Sequence, residues 1–501
     1  MNHAVILPIL LPMFVGSLLL FGARVNLPLK RALSLTSTAV LVPLSLWLMA
    51  DADRGELLVY AAGNWQAPFG IVLLLDRLSA LMLTVTAVLA LFALLYAVRG
   101  DDERGRNFHA LFQFQLMGIN GAFLTGDLFN LFVFFEILLI ASYSLLLHGG
   151  GVERVRAGLH YVVLNLLGSA LFLIAVGVLY GITGTLNMAD LAVRVAAASA
   201  DQAPLLGAAG LMLLVVFGLK AAFLPLYFWL PKAYASATAP VAALFAIMTK
   251  VGLYSIIRVY TLIFGDDAGS LANMANDWLW PIALLTLALG VIGALAAVSL
   301  QGLLAYLVVV SVGTLLAGIA IGTEQALAAA LYYLVHSTWV AGGMFLLADL
   351  ISRQRGDKQG LLVQGPALQN PHLLGGLFFF GAIAVAGLPP LSGFIGKLLL
   401  LRSLEPGLQA LMLWPVVLGG GLLTLIALSR AGSMLFWRVG LSQLDSAELD
   451  YGRLLACAGL LLLSLLLMIG AAPLLSYVEA TASQLHDLAL YRQIIESGAV
   501  R

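Results

Sequence analysis

Residues 218–240 read GLKAAFLPLYFWLPKAYASATAP, and residues 387–401 read GLPPLSGFIGKLLLL. Each is an apolar run broken by proline and carrying a lysine well inside it, Lys220 in the first and Lys397 in the second. Proline removes a backbone donor and kinks or breaks a helix. In a bilayer such a break survives only where protein or water satisfies the freed carbonyls. A charge near the bilayer centre costs roughly 2.5–3.5 kcal/mol on insertion scales. Two expensive features that coincide twice predict an all-α polytopic membrane protein built around a pair of interrupted helices.

Composition points the same way. The 501 residues are 62% hydrophobic and 10% charged, against about 25% charged in a soluble domain. The formal net charge is zero, so nothing argues for nucleic acid or an acidic partner. Cys457 is the sole cysteine. It cannot form an internal disulfide, no Cys/His spacing suggests a metal, and it reads as a small apolar filler. GFIGK at 393–397 lacks the spacing of a phosphate-binding loop, and no cofactor is predicted. The first 25 residues have no basic segment ahead of their apolar run, which predicts an uncleaved first span.

At about 20 apolar residues per crossing, the chain divides into fourteen spans. They fall near 4–22, 32–50, 71–98, 108–125, 128–147, 157–182, 207–231, 240–262, 278–298, 301–322, 325–350, 372–400, 407–430 and 452–476. The links after odd-numbered spans hold fifteen Lys/Arg, including Arg24; those after even-numbered spans hold three, Arg54, Arg194 and Arg402. The positive-inside rule then puts the odd links in the cytoplasm and both termini outside. Residues 183–206 and 477–501 read as amphipathic surface helices, and 351–371 as a polar cytoplasmic loop. Helix 7 is fourth in a group of five starting at helix 4; helix 12 is fourth in a group starting at helix 9. Breaks at corresponding places in two halves point to a transport site between internal repeats; two unrelated proline kinks are the alternative. The organisation is therefore helices 1–3 over 1–107, one five-helix repeat over 108–262, a second over 278–436, and a last helix with its tail over 452–501.

The buried charges carry the chemistry. Glu136 lies in FNLFVFFEILLIASY, residues 129–143. Burial raises a carboxylate's pKa unless a cation is near, and Lys220 is the candidate cation. A Glu–Lys pair whose separation varies is a proton switch; a static buried pair that orients helices is the alternative. Lys250, in AALFAIMTKVGLYSIIR (242–258), and Lys397 extend a row of protonatable sites along the midplane, unless they snorkel to an interface. His336, in LYYLVHSTWVAGG (331–343), titrates near neutral pH when unperturbed. It either links Lys250 to Lys397 or is a hydrogen-bonded core residue. His148 and His160 read as rim histidines, and Asp76–Arg77 as an interface marker. Ser311, Thr314 and Tyr306 could hold water.

Five stretches carry a resemblance: LLLDRLSALML (73–83), TGDLFNLFVFFEILLIASY (125–143), GLKAAFLPLYFWLPKAYASATAPV (218–241), MTKVGLYSIIR (248–258) and GLPPLSGFIGK (387–397). With them the chain resembles the D subunits of Mrp-type (Pha, Mnh) multisubunit cation/proton antiporters, a superfamily shared with the antiporter-like subunits of respiratory complex I. The resemblance covers nearly the whole chain. It implies fourteen helices with two inverted five-helix repeats (helices 4–8 and 9–13, with 7 and 12 interrupted). It also implies proton transfer at a helix 5 glutamate, helix 7 and 8 lysines and a helix 12 lysine, here Glu136, Lys220, Lys250 and Lys397, with His336 on helix 11 between them. Lysine at the last position separates the chain from the complex I subunit that carries glutamate there. Relatives often have a lysine four or five residues after the helix 11 histidine; Val340 and Ala341 stand at those places, so the centre would rest on His336 and water.

The resemblance further implies partner subunits of types A, B, C, E, F and G, a bacterial inner membrane, and exchange of external protons for cytoplasmic Na⁺ or K⁺ without covalent catalysis. The sequence offers no evident cluster of oxygen ligands for the cation. A proton-pumping subunit of a complex I-like or membrane hydrogenase assembly is the main alternative, and a structural or assembly membrane protein the second.

Overall fold

The computed structural model describes residues 3–22, 26–65, 70–440 and 448–496. Arg24, used in the charge count, and residues 497–501 of the tail lie outside them.

The chain opens with α1 (Leu7–Phe21) and α2 (Leu27–Ala52), the latter capped by Asn26, whose Oδ1 accepts from the Leu29 amide. A two-stranded antiparallel hairpin follows, β1 (Leu58–Ala61) with β2 (Val72–Leu75), in the register Leu58↔Leu75 to Ala61↔Val72. The expected third span, 71–98, therefore begins as a strand. The reason is local: Asp76 takes the Ser79 amide at 2.8 Å as an N-cap, and a capping residue sits outside helical φ/ψ. Helix α3 (Arg77–Ala97) starts after it.

Next come α4 (Phe108–Leu124), α5 (Leu128–Leu146, capped by Asp127), α6 (Val152–Thr183) and the short α7 (Met188–Ala196). The seventh expected span is α8 (Ala203–Ala221) and α9 (Trp229–Ser236), separated by an irregular stretch around Pro225. The eighth is α10 (Ala239–Phe245) and α11 (Met248–Leu262). This second break, at Ala246–Ile247, has no proline to announce it. Its cause is a side chain: the Tyr234 hydroxyl donates to the Phe245 carbonyl at 2.5 Å. A side chain inserted into the i→i−4 ladder kinks a helix.

The second half runs α12 (Asn276–Ala296), α13 (Leu300–Ile321), α14 (Glu324–Arg353), α15 (Pro371–Ala386), α16 (Ser392–Arg402) and α17 (Leu408–Gly432). Helices α18 (Tyr451–Ile469), α19 (Ala471–His486) and α20 (Leu488–Glu496) follow. Each expected span is occupied largely by helix. Among the described residues, twelve helices are long and apolar enough to cross a membrane; α4 is 17 residues long, and α15–α16 is broken at 387–391.

The two halves share irregularities. The segment after α6 bridges to the cap of α5 (Asp127↔Asn187), and the segment after α14 bridges to the cap of α13 (Ser299↔Leu361). Both proline breaks contain a cis peptide bond, Leu224–Pro225 and Pro389–Pro390. The halves are also stitched together: the Leu224 amide, freed at the α8–α9 break, donates to Thr286 Oγ1 of α12 at 2.9 Å. The core sits at their seam, where α10, α11, α13 and α14 are almost wholly buried, while α6, α12 and α17 keep exposed apolar faces. The amphipathic segments do not lie free on the surface. Met188, Leu191 and Val195 of α7, Val478 and Ala482 of α19, and Tyr491 of α20 are buried in the protein.

Candidate functional site

Glu136 and Lys220 come together, but not directly. Glu136 is half-buried on α5, and the Ser169 hydroxyl of α6 donates to its Oε1 in a short hydrogen bond. One turn earlier on α6, Asn165 Oδ1 accepts from Lys220 Nζ at 3.0 Å, while its amide nitrogen donates to the Tyr161 carbonyl at 2.8 Å. Among the described residues no ion pair joins Glu136 to Lys220; each is held by a different residue of α6. Spacing i, i+4 puts Asn165 and Ser169 on one face of α6. Lys220 is 7% exposed and lies in the last turn of α8, where the negative end of the helix dipole favours a cation. Its ammonium also sits 5.8 Å from the centre of the Phe135 ring. The break beyond it leaves carbonyls to satisfy, and Trp229 Nε1 donates to that of Leu219 at 3.0 Å.

Lys250 is fully buried in the first turn of α11, and its Nζ donates to Ser311 Oγ of α13 at 3.3 Å. No hydrogen bond among the described residues joins it to Lys220 or His336, yet its helix abuts that of Lys220. A Cβ added at Gly252 would lie 2.8 Å from the Ala221 Cα, so only glycine admits this approach.

His336, 1% exposed on α14, shares a 2.7 Å hydrogen bond between Nδ1 and Ser392 Oγ, and Ser392 shares one of 2.8 Å with Ser464 of α18. Ser392 opens α16, so the histidine is fixed to the helix 12 break. Gly393 beside it has no room for a side chain: a Cβ there would meet His336 Nε2 at 2.7 Å. A cavity of about 30 Å³ separates Ser311 from His336; Val340, Ala341 and Val385 also line it. That is room for about one water.

Lys397 is half-buried on α16 and reaches back across the break, donating to the Ala386 carbonyl at 2.9 Å and the Val385 carbonyl at 3.4 Å. It thus caps the C-terminal end of α15, again the end that favours a cation. It does not snorkel away, and the partners it holds are backbone carbonyls.

The rim that carries Arg104 and Arg353 holds a cavity of about 670 Å³ at the seam of the two halves. Arg104, Arg154, Asp349 and Arg353 line it, with Thr238, whose buried Oγ1 has no partner among the described residues. Beside it, Asp101 pairs with Arg353 (2.9 Å), Arg104 (3.0 Å) and Arg453 (3.2 Å). Burial and then the neighbouring Asp349 carboxylate raise Asp101, while the three arginines pull it down. Asp102 is held well below the usual carboxylate range: burial opposes its charge, but hydrogen bonds from Arg31 and His109 outweigh it. His148 is buried against the Asp101 carbonyl at 2.9 Å, and burial lowers its pKa; His160 is exposed. Among the described residues no three His, Cys, Asp or Glu gather as metal ligands.

Reading the sequence missed Asn165, Ser169, Ser392 and Ser464. The signal was present as polar residues inside apolar runs, but small polar side chains in membrane helices are common glue. It also took Asp76 for an interface marker. Asp76 is fully buried and paired with Arg258 of α11 at 2.5 Å.

The chain as a whole has relatives among known proteins. The family model described as NADH:quinone oxidoreductase/Mrp antiporter, TM, matches residues 125–427, more than half of the chain. The chain belongs to this family. It is 44% identical to the probable D subunit of a K(+)/H(+) antiporter of Rhizobium meliloti (strain 1021), over 97% of this chain and 96% of that protein. It is 40% identical to the D subunit of the Na(+)/H(+) antiporter of Bacillus subtilis (strain 168), over 97% of each. Among solved structures, a chain of the Mrp complex from Dietzia sp. DQ12-45-1b superposes with a TM-score of 0.87 at 26% identity, covering 99% of this chain and all of that one. A chain of respiratory complex I from Thermus thermophilus superposes with a TM-score of 0.75 at 28% identity, covering 96% and 99%.

Proposed function

We propose that this family member is the D-type, proton-translocating subunit of a multisubunit antiporter that exchanges protons for Na⁺ or K⁺ across a bacterial cell membrane. It would work beside partner subunits of the other types, as a secondary transporter and not an enzyme. The observation that carries the reading is that Glu136 and Lys220 are held one turn apart on the same face of α6, by Ser169 and Asn165, within a largely apolar interior. A modest shift of α6 against α5 or α8 would change the separation of the carboxylate and the amine, whose charges burial makes costly to leave unpaired. From Lys220 the proton passes to Lys250, across the small cavity to His336, and on to Lys397 beside the break at 387–391. The matched placement of the two breaks supports two inverted five-helix repeats, and the lysine/arginine asymmetry supports cytoplasmic odd-numbered links with both termini outward.

The decisive experiment uses inverted vesicles from an antiporter-deficient host expressing the whole complex, with Lys220 or with Lys220→Ala. Na⁺- or K⁺-triggered pH change is expected with the first and absent with the second, at equal complex assembly. Exchange that persists in Lys220→Ala would sink the relay. The likeness to a complex I chain favours one second reading, a redox-driven pump. No exchange from the assembled wild-type complex would point there.

A further inference from the structure

The outer end of α11 is gripped by a buried cluster that the relay does not use. Asp76 accepts from Arg258 Nη1 at 2.5 Å, from Nη2 at 2.9 Å, from the Ser79 amide at 2.8 Å and from the Tyr491 hydroxyl at 2.7 Å. Arg258, 2% exposed, also donates to Ser79 Oγ at 3.2 Å, to Tyr254 Oη at 3.1 Å and to Tyr491 Oη at 3.3 Å. Tyr254 in turn donates to the Phe123 carbonyl of α4 at 2.6 Å. Four elements meet here: the cap of α3, the end of α4, α11, and α20, which comes from the far end of the sequence. Helix α20 is tied down a second time by Arg492 on Asp267 at 3.0 Å.

What the grip controls is the height of α11. At Ala246–Ile247 the α-helical ladder between α10 and α11 gives way to shorter i→i−3 bonds, Ala246 N to Ala243 O and Ile247 N to Leu244 O, so helix continuity alone holds the axial position of α11 less firmly. Arg258 lies eight residues beyond Lys250 on this one rigid rod, about 12 Å along the axis. Any slip of the rod moves the Lys250 amine relative to Ser311, which it holds at 3.3 Å. Arginine suits the task because its planar fork spans both carboxylate oxygens, and the Tyr491 hydroxyl bridges the pair by accepting from one partner and donating to the other.

We infer that Arg258 and Tyr491 are positioning residues for Lys250: helix α20, through the Tyr491 hydroxyl, completes the cluster that fixes α11 and sets where the buried amine sits. This rests on the reading of Lys250 as a proton carrier. The titratable groups facing the cluster are Tyr254 from α11 itself, Asp76 from α3, Tyr491 from α20 and Tyr477 from α19, with the Arg77–Asp53 pair beyond. Lys250 itself faces Ser311 of α13.

The test compares Tyr491→Phe, Arg258→Lys and Lys250→Ala in the intact complex, measuring cation-triggered exchange across a pH series alongside complex abundance. Tyr491→Phe keeps the ring and its packing, so assembly is expected to survive. Its pH of half-maximal exchange is expected to move by about half a unit or more, with Arg258→Lys moving the same way and Lys250→Ala inactive. A wild-type pH profile in assembled Tyr491→Phe and Arg258→Lys, with Lys250→Ala inactive, would overturn the positioning role and leave the relay standing. So would exchange that falls only in proportion to complex abundance. Normal exchange in Lys250→Ala would overturn the relay at Lys250, and the positioning role with it.

Discussion

Asn165 offers the sharpest handle on the site, because it can be changed in two opposite senses. Its Oδ1 is the hydrogen-bond acceptor for the Lys220 ammonium, at 3.0 Å, in a buried setting. Asn165→Leu keeps the branched shape and removes the acceptor. A hydrogen bond to a charged group is worth about 1.5–3 kcal/mol. At about 1.4 kcal/mol per factor of ten, the ratio of protonated to neutral amine falls roughly ten- to a hundredfold at fixed pH. Exchange should fall by a comparable factor and recover toward acid pH, where more protons are at hand. Asn165→Asp does the reverse: it sets a carboxylate against the ammonium, holds the proton on Lys220, and should shift activity toward alkaline pH. The assay is cation-triggered pH change in vesicles of matched complex content, at a series of pH values. Two variants that both keep the wild-type rate and profile, or that shift in the same direction, would refute the role of Asn165 as the partner that sets proton occupancy on Lys220.

Further expectations are as direct. Ser392→Ala removes the link from His336 to the helix 12 break; exchange should slow several-fold, and the double variant with His336→Ala should be no worse than the slower single one, since both remove one unit. Val340→Lys forces a long charged chain into a cavity of about 30 Å³, so less assembled complex should appear on native gels. Asp102 has a lowered pKa in the folded protein, so its contribution is fully present above the usual carboxylate value of 3.8 and fades as pH falls through the depressed folded value. Thermal unfolding at a series of acid pH values should show that loss in the wild type and a smaller one in Arg31→Ala, which has already lost the partner.

Much of this could be read from the chain alone because membranes make errors expensive. A charge or proline inside an apolar run has to be accommodated, so Glu136, Lys220, Lys250, His336 and Lys397 stood out, and so did the breaks at Pro225 and Pro389–Pro390. What stayed hidden depended on partners distant in sequence. The break before Lys250 is made by Tyr234 bonding to a carbonyl eleven residues away, a contact with no local signature. The strand at Val72–Leu75 looks like the start of a helix until β1 is seen beside it. Asn165 and Ser169 acquire meaning only when α6 faces both α5 and α8. Asp76 looked like a boundary because its counter-charge, Arg258, lies 182 residues on.

The bond from the Leu224 amide to Thr286 Oγ1 has a mechanical consequence. The break of one half is fastened to the first helix of the other, so a change of shape at the Pro225 break acts directly on its neighbour. Thr286 is a tether: a displacement around Pro225 pulls on α12, and through α12 on α13, the helix that carries Ser311. Thr286→Val would leave the Leu224 amide without that acceptor and loosen the link between the two halves.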